Sequence, residues 1–133
     1  MMNNIKYIKG DLFGAPNNSI LVHACNAKGR WGSGIAAQFA KKFPQAYDIY
    51  KTHCKENSES ILGSCILISS RDEYRPDIGC LITSKDYGLN VDSPEQILKA
   101  TKSAITDLIK KNMSGKEICM CKINSGLFRV PWY

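Results

Sequence analysis

Short apolar runs alternate with longer amphipathic stretches along this chain, and that alternation predicts an α/β architecture. Ile5-Lys6-Tyr7-Ile8-Lys9 alternates like a strand, and the Ser19 to Ala24 run predicts a second strand after a Pro16-Asn17-Asn18 turn. Gly34 to Phe43 has helical spacing and is stopped by Pro44. A further helix is predicted from Gln45 to about Lys55, where Ala46, Ile49, Tyr50 and His53 share one face. Ile61 to Ser69 and Ile78 to Ser84 read as strands, with Gly63 predicting a bulge in the first. The best-marked helix runs from Pro94 to about Lys111. Ser93 suits the N-cap, Pro94 the first turn, and Gln96 completes a capping box. Ile97, Ala104, Ile105, Leu108 and Ile109 are expected to form its buried stripe, and Asn112 and Gly115 to end it. Ile118 to Cys121 is a last strand, which feeds the small-residue segment Ile123-Asn124-Ser125-Gly126-Leu127-Phe128.

Chemistry concentrates between His23 and Ala37. An apolar strand there ends in a loop with Gly29, Gly32 and Gly34 and then enters a helix. Unpartnered N–H groups in a first helical turn, together with the helix dipole, favour an anion. Glycines let the backbone approach a phosphate closely. Gly29-x-x-x-x-Gly34 is not a P-loop, because Ile35 and Ala36 stand where that motif needs lysine and a hydroxyl residue. Gly32-x-Gly34 is followed by Ala37 rather than the third glycine of a dinucleotide fingerprint. A plain strand-to-helix turn remains the alternative. Asp11, directly after a strand and Gly10, is suited either to accept from an exocyclic amine or to cap the next turn. Loops at the carboxyl ends of strands in an open sheet line one crevice, so all three segments could face one ligand.

Taken together, Lys9-Gly10-Asp11-Leu12, Ala24-Cys25-Asn26 with Trp31-Gly32-Ser33-Gly34-Ile35-Ala36, and Asn124-Ser125-Gly126-Leu127-Phe128 resemble the macrodomain superfamily of ADP-ribose binders. Within it, His23-x-Cys25-Asn26, the Trp31 to Ala36 loop and the Val130-Pro131-Trp132 ending resemble the fungal-type ADP-ribose 1″-phosphate phosphatases. The resemblance spans nearly the whole chain. It implies a single domain over 1–133, a three-layer α/β/α fold with a mixed, largely parallel sheet, shortened by the usual C-terminal helix and strand. It implies that Asp11, flanked by Gly10 and Leu12, binds the adenine amine, and that Asn26, with Ala24 and Cys25 before it, meets the distal ribose. Trp31 to Ala36 would wrap the pyrophosphate, Ile123 to Phe128 would close over it, and Phe128 would press on the distal ribose. Arg129 stands where related loops often carry glycine, and it could reach a terminal phosphate or point to solvent. A neighbouring branch of the superfamily removes ADP-ribose from acidic side chains with a lysine and an aspartate. Ser84 and Phe128 occupy those positions here, with Lys85 one residue on.

The remaining features narrow the setting. The 133 residues suit one core, and 44% hydrophobic with 23% charged residues is ordinary for a globular chain. No apolar run approaches the roughly 20 residues of a spanning helix, so no membrane partner is expected. The net charge of +6 suits an anionic ligand, while no basic helix interleaved with aromatics signals nucleic acid. The six cysteines form no C-x-x-C pair, which points to free thiols, to no metal site, and to a reduced cytoplasmic or nuclear compartment. No cofactor is expected, and the expected state is a monomer binding a small-molecule substrate or an ADP-ribosylated protein.

The expected activity is hydrolysis of ADP-ribose 1″-phosphate to ADP-ribose and phosphate. No Cys-x5-Arg signature and no acidic metal cluster is present, leaving positioning, electrostatic stabilisation and one acid or base. His23 is the candidate acid or base and Asn26 the positioning residue; a structural histidine bonded to a backbone carbonyl is the alternative for His23. Asp86 and Asp92 follow a strand end and are further candidate acids. The competing functions are a non-catalytic ADP-ribose reader, an ADP-ribosyl hydrolase acting on protein or nucleic acid, and an inactive copy.

Overall fold

The computed structural model describes residues 10–57 and 59–121. The predicted strand Ile5 to Lys9 and the segment Ile123 to Arg129 lie outside them. Four strands form one sheet: β1 (Ile20–Asn26), β2 (Cys65–Ile68), β3 (Asp77–Ser84) and β4 (Ile118–Met120), in the order β2-β3-β1-β4. β1 is parallel to both β3 and β4, while β2 is antiparallel to β3. The helices are α1 (Gly34–Lys42), α2 (Pro44–Asn57) and α3 (Pro94–Lys111).

Period-two alternation sorts β1 between two cores. Leu21 and Cys25 join Trp31 and Phe39 of the loop and α1, Tyr50 and Cys54 of α2, and Ile78, Cys80 and Ile82 of β3. Ile20 and Val22 point the other way, with Leu81, Ala104 and Leu108, against α3. Both faces of the sheet are therefore covered, which is why β1 and β3 read as continuous apolar runs. The result is the expected three-layer α/β/α arrangement around a mixed, largely parallel sheet.

Local chemistry sets the helix limits. Ser93 accepts from the Gln96 N–H, and the Gln96 side chain accepts from the Ser93 N–H, closing the predicted capping box at the start of α3. Pro44 ends α1 and opens α2, because its ring cannot continue a preceding helix but suits a first turn.

Three expectations need correction. The buried stripe of α3 is Ile97, Ala100, Thr101, Ala104 and Leu108, whereas Ile109 is 62% exposed and Ile105 only half-buried. Steps of three and four from Ile97 reach 101, 104 and 108, and residue 109 lies a further 100° around the helix. β2 begins at Cys65 rather than Ile61, because Ile61 to Ser64 is a turn: the Ser64 N–H and hydroxyl both donate to the Ile61 carbonyl, and Gly63 has φ +80°. Gly63 is thus a turn glycine and no bulge. The sheet irregularity falls at the carboxyl ends of β1 and β3 instead, where Cys25 pairs with Ile82 but Asn26 pairs with Ser84, so that Thr83 is an extra residue in β3.

Candidate functional site

Parallel pairing brings the carboxyl ends of β1, β3 and β4 to one edge of the sheet, where the loops after Asn26 and Ser84 meet. The Ala27 N–H donates to the Ser84 carbonyl at 2.9 Å, tying the two loops at their roots. Burial first and the charge of Asp11 second push up the thiol of Cys121, just past β4. Of the two roles open to Asp11, the structure shows the cap: its carboxylate accepts from the Phe13 N–H at 3.0 Å. Gly10 and Asp11 are exposed, and Leu12 packs partly on the core.

Asn26 organises the loop after β1. Its Nδ2 donates to the Arg30 carbonyl at 2.8 Å, and its Oδ1 accepts from the N–H groups of Lys28 at 3.0 Å and Arg30 at 3.3 Å. The Tyr50 hydroxyl bonds both the Asn26 carbonyl and its Oδ1. Burial, then the nearby thiols, push the Tyr50 hydroxyl far above its ordinary range, so it stays protonated as a donor. Among the described residues the amide oxygen takes three donors, while Nδ2 donates one of its two hydrogens. Asn26 is 7% exposed at the strand edge.

The glycine segment beyond it is open. Ser33 is the N-cap of α1 in an extended conformation, but its hydroxyl takes no bond from the first turn. Among the described residues those N–H groups have no side-chain cap. Gly34 has φ +60°, and a Cβ built there would meet nothing within 4 Å. Only a glycine takes that conformation at little cost. Ile35 and Ala36 turn their side chains partly into the core, so what they offer a ligand is backbone. An open cleft of about 320 Å³ lies on the α2 side of the loop, and Lys28, Lys51 and Lys55 around it add positive charge nearby.

Trp31 and Cys25 serve the core through their side chains. The Trp31 indole is 3% exposed and stacks on Tyr47 and Tyr50, each at 4.9 Å between ring centres. Its N–H has no oxygen or nitrogen acceptor and faces the Cys25 sulfur. The indole of Trp31 thus anchors the loop from below. Ala24 points to the α3 side of the sheet.

His23 is likewise inside. It is 0% exposed, its ring stacks on Phe39 at 4.0 Å and 11°, and Trp31 meets it edge-on at 4.7 Å. An acid or base must come within about 3.2 Å of the proton it moves, and these rings close His23 off. Its polar contact is the Cys25 sulfur, 3.8 Å from Nδ1 and 3.6 Å from Nε2, rather than a backbone carbonyl. With Cys80 of β3, these are three potential metal donors whose ligand atoms lie within 4.8 Å of one another. The near-equal sulfur distances put Cys25 over the imidazole face rather than on a nitrogen lone pair, and Phe39 covers the other face. The group is packed as core. Burial disfavours the Cys25 thiolate, but Cys80, His23 and Trp31 outweigh it and hold the thiol below its ordinary range. Burial and then Cys25 push Cys80 up. His23→Leu is accordingly expected to leave kcat of the folded protein and its pH profile unchanged, as steady-state kinetics would show, with any loss confined to the melting temperature.

The candidate acids on the β3 loop are engaged in building it. Asp92 accepts from the Lys85 N–H at 3.1 and 3.2 Å, and Asp86 Oδ1 accepts from the Tyr87 N–H at 2.8 Å. Ser84 is buried and donates its hydroxyl to the Asp86 carbonyl at 2.9 Å. Two residues missed by sequence reasoning stand at this edge, Arg30 and Tyr87. They come together only because the loops after β1 and β3 are neighbours.

Comparison with known proteins gives one consistent answer. The profile of the Macro domain family matches residues 22–133. The chain is 45% identical to an ADP-ribose 1″-phosphate phosphatase of Candida albicans, over 96% of this chain and 86% of that protein. It is 38% identical to an ADP-ribose 1″-phosphate phosphatase of Chaetomium globosum, over 92% of this chain and 75% of that one. Among solved structures, the macrodomain of Mycobacterium tuberculosis DarG superposes with a TM-score of 0.68 at 27% identity, covering 81% of this chain and 67% of that one.

Proposed function

The chain belongs to the Macro domain family, and we propose that it hydrolyses ADP-ribose 1″-phosphate to ADP-ribose and inorganic phosphate. The observation that carries this reading is the 45% identity, over 96% of the chain, to a protein named for that activity.

The site chemistry supports it. Phosphoryl transfer from a monoester asks little covalent chemistry of a protein and rests on positioning and charge stabilisation. The uncapped first turn of α1 supplies backbone N–H donors for phosphate oxygens. On this reading Asn26 would hold a ribose hydroxyl and Asp11 would meet the adenine, roles that the resemblance assigns to them. Water attacks phosphorus, the P–O bond to C1″ breaks, and the leaving oxygen takes a proton to become the anomeric hydroxyl. That hydroxyl is a better leaving group than an ordinary alcohol, which lowers the demand for a strong general acid. We place this activity in a reducing compartment, cytoplasmic or nuclear, a setting favoured by six free cysteines, four of them buried.

The test is phosphate release from ADP-ribose 1″-phosphate by the purified protein. Turnover supports the reading. ADP-ribose binding without turnover would replace it with a reader, and release of ADP-ribose from a modified protein in preference to phosphate release would replace it with a hydrolase of that linkage.

A further inference from the structure

We infer that Arg30 binds the monoester phosphate and makes the site prefer a phosphorylated ADP-ribose over ADP-ribose itself. The inference rests on the reaction proposed above for its ligand, but its geometry is independent of it.

The backbone of Arg30 is held on both sides by one side chain. Its N–H donates to Asn26 Oδ1 and its carbonyl accepts from Asn26 Nδ2, at 3.3 and 2.8 Å. From that fixed root the side chain runs across Gly32, where a Cβ would stand 3.2 Å from the Arg30 Nε and 3.6 Å from its Cγ. The absence of a side chain at Gly32 is what keeps this path open. The guanidinium then lies 5.8 Å from the centre of the Tyr87 ring, within reach of a cation–π contact. Arg30 thus bridges the loops after β1 and β3 at the carboxyl edge of the sheet.

Among the described residues Arg30 takes part in no ion pair, and the acids of the facing loop, Asp86 and Asp92, are bonded to backbone N–H groups. The contact with the Tyr87 ring takes up none of the five N–H donors of the guanidinium. An exposed, oriented, unpaired guanidinium beside an uncapped helix start fits a phosphate dianion, which takes two parallel N–H bonds from arginine. The choice of the monoester over the pyrophosphate follows from placement. The peptide N–H groups after Ser33 serve the pyrophosphate, whereas Arg30 sits beside Asn26, at the end where the ribose and its C1″ substituent are expected.

The experiment measures, by calorimetry, binding of ADP-ribose and of a non-hydrolysable 1″-phosphonate analogue to the wild type, Arg30→Ala, Arg30→Lys and Tyr87→Ala, with phosphate release measured in parallel. The wild type is expected to prefer the phosphonate. Arg30→Ala is expected to lose about tenfold to hundredfold in phosphonate affinity, the size of a lost charged hydrogen bond, with ADP-ribose affinity and melting temperature unchanged. Arg30→Lys should recover part of the preference, and Tyr87→Ala should weaken it without abolishing it. A wild type without preference, or a preference that survives in Arg30→Ala, overturns the inference. A preference that depends on Arg30 in a protein with no turnover would sustain it while removing the proposed reaction.

Discussion

Trp31→Ala is expected to lower the melting temperature of the unliganded protein by on the order of 10 °C, a loss of roughly 3–5 kcal/mol. The indole is 3% exposed and is the central ring of a stack, with Tyr47 and Tyr50 parallel to it and His23 and Phe39 edge-on. Truncation opens a cavity that these rings cannot close, because each is held by other contacts: Phe39 by Phe13 and Phe43, and Tyr50 by its bonds to Asn26. The cavity lies directly under the glycine segment, so the loop loses its floor. The backbone N–H of Trp31 donates to the Tyr47 hydroxyl, a bond that does not depend on the indole, so the loss measured in Trp31→Ala is one of ring packing. Trp31→Phe should keep much of the stack and cost less than half as much. Thermal denaturation without ligand separates this from a ligand-stacking role. A Trp31→Ala protein that melts like the wild type and differs only in KM would put the indole in the binding cleft and contradict the structure.

Elements with local chemistry were the most legible. Both ends of α3 could be read from Ser93, Pro94, Gln96 and Asn112, because capping is decided within a few residues. β1 and β3 were legible for the opposite reason: a strand buried on both faces has no polar phase to misread. The errors arose where tertiary contacts decide. Ile61 and Gly63 look like strand until the Ile61 carbonyl is seen closing a turn onto Ser64. Ile109 looks like core until α3 is docked with its 97-101-104-108 face on Leu81 and Val22.

The same division holds at the site. The glycine segment and Asn26 were visible as a strand-to-helix loop of anion-binding type. What β1 places beneath that loop was not. Alternation tells that Leu21, His23 and Cys25 share a face, but not that Phe39 and Trp31 close over that face and bury the histidine. Nor does spacing along one strand reveal Cys80, which comes from β3 beside His23. Arg30 was passed over because its meaning is relational: Asn26 fixes its backbone, Gly32 leaves its path clear, and Tyr87 arrives from another loop.

Asn26→Ala is expected to lower kcat/KM for ADP-ribose 1″-phosphate by about a hundredfold, the penalty for displacing a positioning loop by an ångström or so. One side chain holds the N–H groups of Lys28 and Arg30 and the Arg30 carbonyl, and it shares the Tyr50 hydroxyl. Alanine frees all of them, so the root of Arg30 and the approach to the glycine segment are lost together. Stability should fall less steeply than activity, by about 1–3 kcal/mol, because the loop is near the surface and water can satisfy part of what is released. Asn26→Asp sharpens the argument. The carboxylate still accepts from Lys28 and Arg30, but it can no longer donate to the Arg30 carbonyl, and it brings a negative charge to an anion site. It should therefore bind the 1″-phosphonate analogue more weakly than Asn26→Ala does, although it preserves more of the loop. A double-mutant cycle with Arg30→Ala then tests the connection. If Asn26 acts through Arg30, the two substitutions together should cost far less than the sum of their separate effects. Full additivity would mean that Asn26 works on the ribose alone and that Arg30 does not depend on it.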